Sequence, residues 1–142
     1  MYADAYDMEV RFGEAELIEI TDRSDSGQYD DEFVLSAIED ASAEIDSYVA
    51  VRYTLPLSDV PPLLRRLCCD IARFRLYDDS PTEEVRRRYD SALEQLRRVA
   101  RGELLLAYEY GMVPTRAVIR AAPKRLAFGD KFDQAYDDAT DG

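Results

Sequence analysis

The spacing of apolar residues constrains the fold of this chain more than any other feature of its sequence. In residues 31–52 they recur every three or four positions, as Val34, Ile38, Ala41, Ile45, Tyr48 and Val49. This spacing lines side chains along one face of an α-helix. Asp30 precedes the segment and has a side chain suited to capping a helix start. The pattern predicts an amphipathic helix over about 31–52 with one buried face. It is the second predicted helix of the chain, after a short one near the beginning.

The opposite face of this predicted helix carries small and acidic residues, namely Ser36, Glu39, Asp40, Ala43, Ser47 and Ala50. Small side chains let another backbone approach closely, and carboxylates favour a cationic partner. We therefore interpret Glu39, Asp40, Ala43 and Ser47 as part of an interface between subunits. The alternative interpretation is an ordinary solvated surface.

A third predicted helix, over about 61–78, follows a break at YTLPLSDVPP. The prolines of the break lack the backbone donors that a helix interior needs, whereas a proline suits the first turn of a helix. The inner face of this helix is formed by Leu64, Leu67, Cys68, Ile71 and Phe74. Cys69 is rotated by about 100° from Cys68 and is predicted to point away from the core.

The segment SPTEEV predicts the start of a fourth helix. Ser80 is the expected N-cap, Pro81 the first helical residue, and Glu83 the reciprocal partner in a capping box. The helix runs to about Arg101, and Gly102 ends it. Its predicted buried residues are Val85, Tyr89, Ala92, Leu93, Leu96 and Ala100.

The two ends of the chain differ in regularity. At the beginning, Asp4 is placed to cap a short helix that ends at Gly13, and a further short turn passes through Leu17 before the polar loop TDRSDSGQYD. After Gly102 the periodicity weakens. We predict an all-α fold, a small bundle of four to five helices over 1–102, with an irregular tail over 103–142. Apolar anchors within such a tail predict docking to a partner, and we expect Phe128 and Phe132, together with Arg125, to make this contact.

The residue types that carry most catalysis and metal binding are missing or misplaced. The chain has no histidine, and its two cysteines, Cys68 and Cys69, are adjacent rather than spaced as in redox or metal motifs. The loop from Asp22 resembles a calcium-binding loop, but Phe33 occupies the position of the bidentate glutamate. Phosphate-binding loops and nucleophile elbows are absent from the sequence. We therefore predict a non-enzymatic protein without metal or cofactor.

Charge is unevenly distributed along the chain. The formal net charge is −12, with −13 in residues 1–59, +3 in residues 60–101 and −2 in residues 102–142. Only the middle segment has the basic excess that binding to phosphates needs. A solubilising role is the simpler explanation of the acidic excess.

Acids also replace the basic start of a signal peptide, and no apolar run reaches the roughly 18 residues of a membrane span. These features predict a cytoplasmic protein that does not bind membranes.

The arginines of the fourth helix have acidic neighbours. Glu83–Arg87, Glu84–Arg88 and Glu94–Arg98 are spaced i,i+4 and are predicted to pair. The cations that this pairing leaves over are Arg65, Arg66, Arg86, Arg97 and Arg101. We expect these to contact the acidic outward face of a neighbouring copy. Contacts between two different surfaces are heterologous, and heterologous contacts that close generate rings.

Several segments also resemble a known family. The run DASAEIDSYVAVRYTLPLSDVPPLLRRLCCDIARFRLYDD, then PTEEVRRRYDSALEQLRRVARG, and the opening MYAD with RFGEAELIEITDR are similar to the Mu-like phage and prophage head–tail adaptor (neck) family. The resemblance covers about residues 1–102, and the tail matches only in short pieces. It implies a helical subunit of a homo-oligomeric ring that extends the DNA exit tunnel between the portal and the tail.

The resemblance further implies the partners and the location. The partners would be other copies of the chain, the portal protein and a tail or tail-completion protein, with DNA passing through without specific binding. The protein would reside in the neck of the virion, and in the host cytoplasm during assembly. If part of the acidic excess faces the tunnel, like charge would keep DNA from adhering to the wall. An acidic regulator or DNA mimic that binds a basic host protein is the alternative function, and a small enzyme is a third.

Overall fold

Residues 1–106 are described by a computed structural model, and they form five α-helices and no strand. The helices are α1 (Ala5–Phe12), α2 (Glu14–Thr21), α3 (Asp31–Val49), α4 (Pro62–Leu76) and α5 (Glu83–Ala100). The all-α prediction is confirmed. The predicted second short turn is a full helix, and the helices predicted over 31–52 and 61–78 are each shorter. The expectations for the tail beyond Leu106 lie outside the described residues.

The core lies between α3, α4 and α5, with α1 packed against α3 and α4. The apolar face predicted for α3 is confirmed, since Val34, Ile38, Ala41, Ile45 and Val49 are buried. On α5, Val99 is buried although the sequence pattern did not include it. No helix among the described residues combines the length and the hydropathy that a membrane span requires.

The prediction that Cys69 points away from the core is wrong. Both cysteines are fully buried. The reason is that α4 has neighbours on several sides, with α3 and α5 on one side and α1 on another. A residue 100° away from the α3-facing stripe therefore meets a second packed surface instead of water. Burial raises the pKa of the Cys69 thiol to about 12.

Helix starts follow the predicted chemistry with one exception. Asp4 and Asp7 form a reciprocal capping box at α1, and the Asp30 side chain accepts the Phe33 N–H at 3.1 Å. At α5 the predicted cap is wrong. The helix begins at Glu83 and its cap is Thr82, whose hydroxyl accepts the Val85 N–H at 3.2 Å. Two hydroxyl residues stand close together here, and the later one reaches the backbone donor, so the predicted capping box does not form.

The end of α5 combines a glycine stop with a long-range cap. Gly102 adopts a positive φ of 77°, and the N–H groups of Gly102 and Glu103 donate to Val99 and Arg98. This is the Schellman arrangement. The Arg52 guanidinium, which follows α3, donates to the carbonyls of Ala100 and Arg101 at 3.2 and 3.1 Å. The ends of α3 and α5 are thereby joined.

Replacing Gly102 by alanine is expected to lower the free energy of unfolding by about 2 kcal/mol. The left-handed backbone costs roughly 1–2 kcal/mol with any Cβ, and this Cβ would lie 2.4 Å from the Arg52 guanidinium carbon. Gly27→Ala is the matched control, because Gly27 also has a positive φ but no atom within 4 Å of the new Cβ. Urea denaturation of both variants gives the difference. Equal losses would show that the Arg52 contact contributes nothing.

Candidate assembly surface

The outward face of α3 presents the residues that the sequence assigned to an interface. Glu39, Asp40, Ala43 and Ser47 are all exposed and lie on the same side of the helix. Within residues 1–106 neither Glu39 nor Asp40 forms an ion pair or a side-chain hydrogen bond. The Ser47 hydroxyl donates to the Glu44 carbonyl at 2.6 Å. The face is therefore an exposed strip of small side chains with two carboxylates that have no partner within residues 1–106.

Glu44, a half-buried residue of α3, lies along one edge of this strip and contacts the two neighbouring helices. Its carboxylate accepts from Arg75 on α4 at 2.7 Å and from the Tyr89 hydroxyl on α5 at 3.0 Å. Burial, together with Glu44, raises the pKa of Tyr89. Tyr89 also stacks on Phe74 with ring centroids 4.0 Å apart. Three helices thus meet at one carboxylate, which restrains α3 relative to the others.

The N-terminal residues hold a second margin. The Tyr2 N–H donates to the Ser42 Oγ at 3.2 Å, and the Tyr2 hydroxyl hydrogen-bonds Asp46. Burial, together with Asp46, raises the pKa of Tyr2. Because α3 is fixed on both margins and along its buried face, its outward strip is presented by a rigid element. Rigid surfaces lose little conformational entropy when they bind.

The five predicted interface arginines are exposed but fall in separate places. Arg65 lies 3.8 Å from Asp7, and Arg66 donates to Gln95 at 3.2 Å. These two are near the start of α4. Arg86 lies at the opposite end of the α4–α5 pair, with its guanidinium 5.8 Å from the centroid of Phe74.

The remaining two arginines belong to the end of α5. Arg97 and Arg101 share Glu94 at 3.4 and 3.3 Å, and Arg101 also pairs with Glu103 at 2.9 Å. The structure therefore brings Arg97 and Arg101 together and keeps Arg86 apart. No single basic patch is formed by the predicted set.

The predicted pairing along α5 is confirmed in one case of three. Glu84–Arg88 is present at 3.2 Å. Glu94 turns instead toward Arg97 and Arg101, and Arg98 lies 3.8 Å from Glu103. The reason is that Glu103 folds back at the glycine stop and adds a second acid to the helix end. Glu83–Arg87 does not form, so Arg87 has no ion pair within the described part of the chain.

The most buried ion pair within residues 1–106 joins Arg73 to Glu16, and no pattern in the sequence indicated it. Nε and Nη2 of Arg73 donate to the two Glu16 oxygens at 3.0 and 2.7 Å, and the Tyr77 hydroxyl donates to the same carboxylate at 3.0 Å. The Arg73 guanidinium also lies 4.4 Å from the centroid of Phe12. These contacts fasten α1 and α2 to α4. The residues are far apart in the chain, and no local pattern connects them.

The Asp22 carboxylate accepts all its hydrogen bonds within residues 1–106 from its own loop. Asp22 accepts the Ser26 and Gly27 N–H groups at 3.0 and 2.8 Å, together with the hydroxyls of Ser24 and Ser26. The Ser26 and Gly27 backbone donors lower the pKa of Asp22. In residues 1–106 no three side chains of the metal-binding types converge. The tail residues Arg125, Phe128 and Phe132 lie outside the described residues, and their docking stays a prediction.

Comparison with known proteins finds similarity over most of the chain. The family model described as Bacteriophage Mu, Gp36 matches residues 2–118. "Gene product J" of Escherichia phage Mu is 39% identical over 103 residues, covering 72% of this chain and 73% of that protein. "Mu-like prophage FluMu protein gp36" of Haemophilus influenzae is 37% identical over 106 residues, 75% of each chain. The family match includes all five helices and ends within the tail.

Proposed function

Because this chain belongs to the bacteriophage Mu Gp36 family, we propose that it is a non-enzymatic structural subunit of the phage neck. Copies form a homo-oligomeric ring between the portal protein and the tail. The ring extends the tunnel through which DNA leaves the capsid, without specific binding to DNA. The other partners are the portal protein and a tail or tail-completion protein.

The observation that supports this proposal best is the outward strip of α3. It is rigid, its side chains at Ala43 and Ser47 are small, and Glu39 and Asp40 have no cationic partner within residues 1–106. A neighbour can approach such a strip closely, and the carboxylates favour arginine as the contacting residue.

The same chain offers arginines on a different surface. Arg66 has a neutral partner, and the exposed pairs of Arg97 and Arg101 contribute little net stability. These arginines can therefore exchange their intrachain partners for carboxylates of another copy. Because the two surfaces differ, contact between them is heterologous, and successive contacts close into a ring when the rotation permits.

The test is electron microscopy of the full chain mixed with its cognate portal. We expect an added ring on the portal. Glu39→Lys/Asp40→Lys is expected to reduce the ring-bearing fraction by more than about tenfold, because like charges across an interface cost several kcal/mol. Glu19→Lys/Asp59→Lys is the matched control, since it reverses two exposed acids away from the strip. The control is expected to assemble as the unchanged chain does.

The same variants separate an interface role from a tunnel-lining role for the strip. If Glu39 and Asp40 face the tunnel, the reversed chain assembles but DNA ejection slows, because the wall now attracts phosphates. Normal assembly together with unchanged ejection would remove the strip from both roles. Failure of the unchanged chain to add a ring, together with capture of a basic host protein, would favour the acidic regulator.

A further inference from the structure

The helix α1 presents two large apolar side chains to solvent. Tyr6 and Val10 are 69% and 65% exposed and, four residues apart, lie on the same side of the helix. The opposite side of α1 faces the core, since Met8 is fully buried and Phe12 packs against the core residues. Single exposed apolar residues are ordinary in soluble proteins. Two on consecutive turns of an eight-residue helix form a continuous stripe, which we call the α1 stripe.

Acidic residues border the α1 stripe. At about 100° per residue, Asp7 and Glu9 fall on either side of the line through Tyr6 and Val10. Asp4 and Glu14 stand at its two ends. Arg11 is the one base in residues 4–14, and at about 100° per residue it lies about 140° around the helix from Tyr6. A segment that fits this surface therefore carries apolar anchors together with positive charge.

The chain itself contains a segment of that composition. Residues 116–132 hold five bases and one acid, a net charge of +4 within a protein whose total is −12. Their large apolar residues are Val118, Ile119, Leu126, Phe128 and Phe132. Apolar and charge complementarity to the α1 stripe are thus both present in one polypeptide.

The connection is long enough for this segment to reach its own α1. The described chain ends at Leu106, whose N–H donates to the Tyr53 hydroxyl at 3.3 Å. Residues 107–115 span up to about 30 Å when extended. A domain of about 100 residues has a radius of gyration of about 13 Å, so this span is comparable with its diameter.

We propose that residues 116–132 dock on the α1 stripe of the same chain. Tethering gives the segment an effective concentration in the millimolar range, which favours its own chain over a second copy at micromolar concentration. A partner that binds Phe128 and Phe132 during assembly must first displace them from α1.

The test is photo-cross-linking within the full chain. Tyr6→p-benzoylphenylalanine places the probe in the stripe, and the substitution spares the core because Tyr6 is exposed. Light and 15N-labelled chains are mixed, irradiated and analysed by mass spectrometry. We expect products joining position 6 to residues 116–132, with both peptides light or both heavy. A probe at the exposed Ser58 is expected to reach this segment at least about tenfold less often, because it lacks the complementary surface.

A pair of tail variants provides the second readout. Phe128→Ser/Phe132→Ser is expected to lower the yield from position 6 by about tenfold, since two apolar anchors are lost. Tyr136→Ser removes an aromatic residue outside the segment and is expected to leave the yield unchanged. Mixed light–heavy products would show that a second copy occupies the stripe. Such products, an absence of cross-links to residues 116–132, or an equal loss in Tyr136→Ser would each overturn the proposal.

Discussion

Replacing Glu16 by alanine is expected to lower the free energy of unfolding by about 3 kcal/mol. The change leaves Arg73, whose side chain is only 9% exposed, without its bidentate acceptor. Removing one partner of a buried ion pair costs roughly 3–5 kcal/mol, because the remaining charge is uncompensated. The low end applies here, since Glu84 lies 3.9 Å from the same guanidinium. Such a loss is a large fraction of the roughly 5–15 kcal/mol by which domains are stable.

Urea denaturation of the full chain measures this loss, with Glu19→Ala as the control on the same helix. Glu19 is exposed, so its replacement is expected to change stability by less than about 0.5 kcal/mol. Glu16→Met/Arg73→Met is expected to recover most of the stability, because apolar replacement of both partners leaves no unpaired charge. Similar stabilities of Glu16→Ala and Glu19→Ala would contradict the assignment of Arg73–Glu16 as the contact that fastens α2.

Alkylation of both cysteines in the native chain is expected to be at least about a thousandfold slower at pH 8 than in the urea-unfolded chain. The thiolate is the reactive form, and a pKa of about 12 for Cys69 lowers its thiolate fraction at pH 8 roughly a thousandfold relative to an ordinary thiol. Burial also raises the pKa of Cys68. Both side chains are also inaccessible to the reagent, so labelling requires opening of the fold.

Single-thiol variants assign the reaction to each position. Cys68→Ala retains Cys69, and Cys69→Ala retains Cys68, so mass spectrometry of each time course reports one thiol. Rapid alkylation of native Cys68→Ala would support the sequence-based expectation that Cys69 points outward. The raised pKa also has a consequence for stability. Because the folded value exceeds the unfolded value of about 9, stability is expected to fall as the pH rises above about 9.

The features that the sequence predicted correctly depend on neighbours within about four positions. The apolar face of α3, the caps Asp4 and Asp30, and the stop at Gly102 all belong to this class. The sequence predicts Ser80 as the cap of α5 and the structure has Thr82, because two hydroxyls close together in the sequence do not show which one reaches the backbone donor. The exposed strip with Glu39 and Asp40 follows from the same periodicity as the buried face.

The features that the sequence did not predict depend on which surfaces meet. Whether Cys69 is buried is decided by the packing of α1 against a second side of α4. Whether Tyr6 and Val10 are exposed is decided by the side that α1 turns toward α4. Glu94 pairs with Arg97 and Arg101 instead of the predicted Arg98, because Glu103 folds back at the end of α5. None of these facts has a signal within one helix.

The caps Asp4 and Asp30, the stop at Gly102, the buried face of α3 and the distribution of charge along the chain could all be recognised in the sequence. Periodicity and capping are local interactions, so they can be recognised without knowledge of the fold. Three further features follow from the packing of the helices: α4 is covered on more than one side, Arg73 pairs with Glu16, and no element within residues 1–106 covers Tyr6 and Val10 on α1. These outcomes depend on contacts between residues distant in the chain, which exist only once the helices have packed.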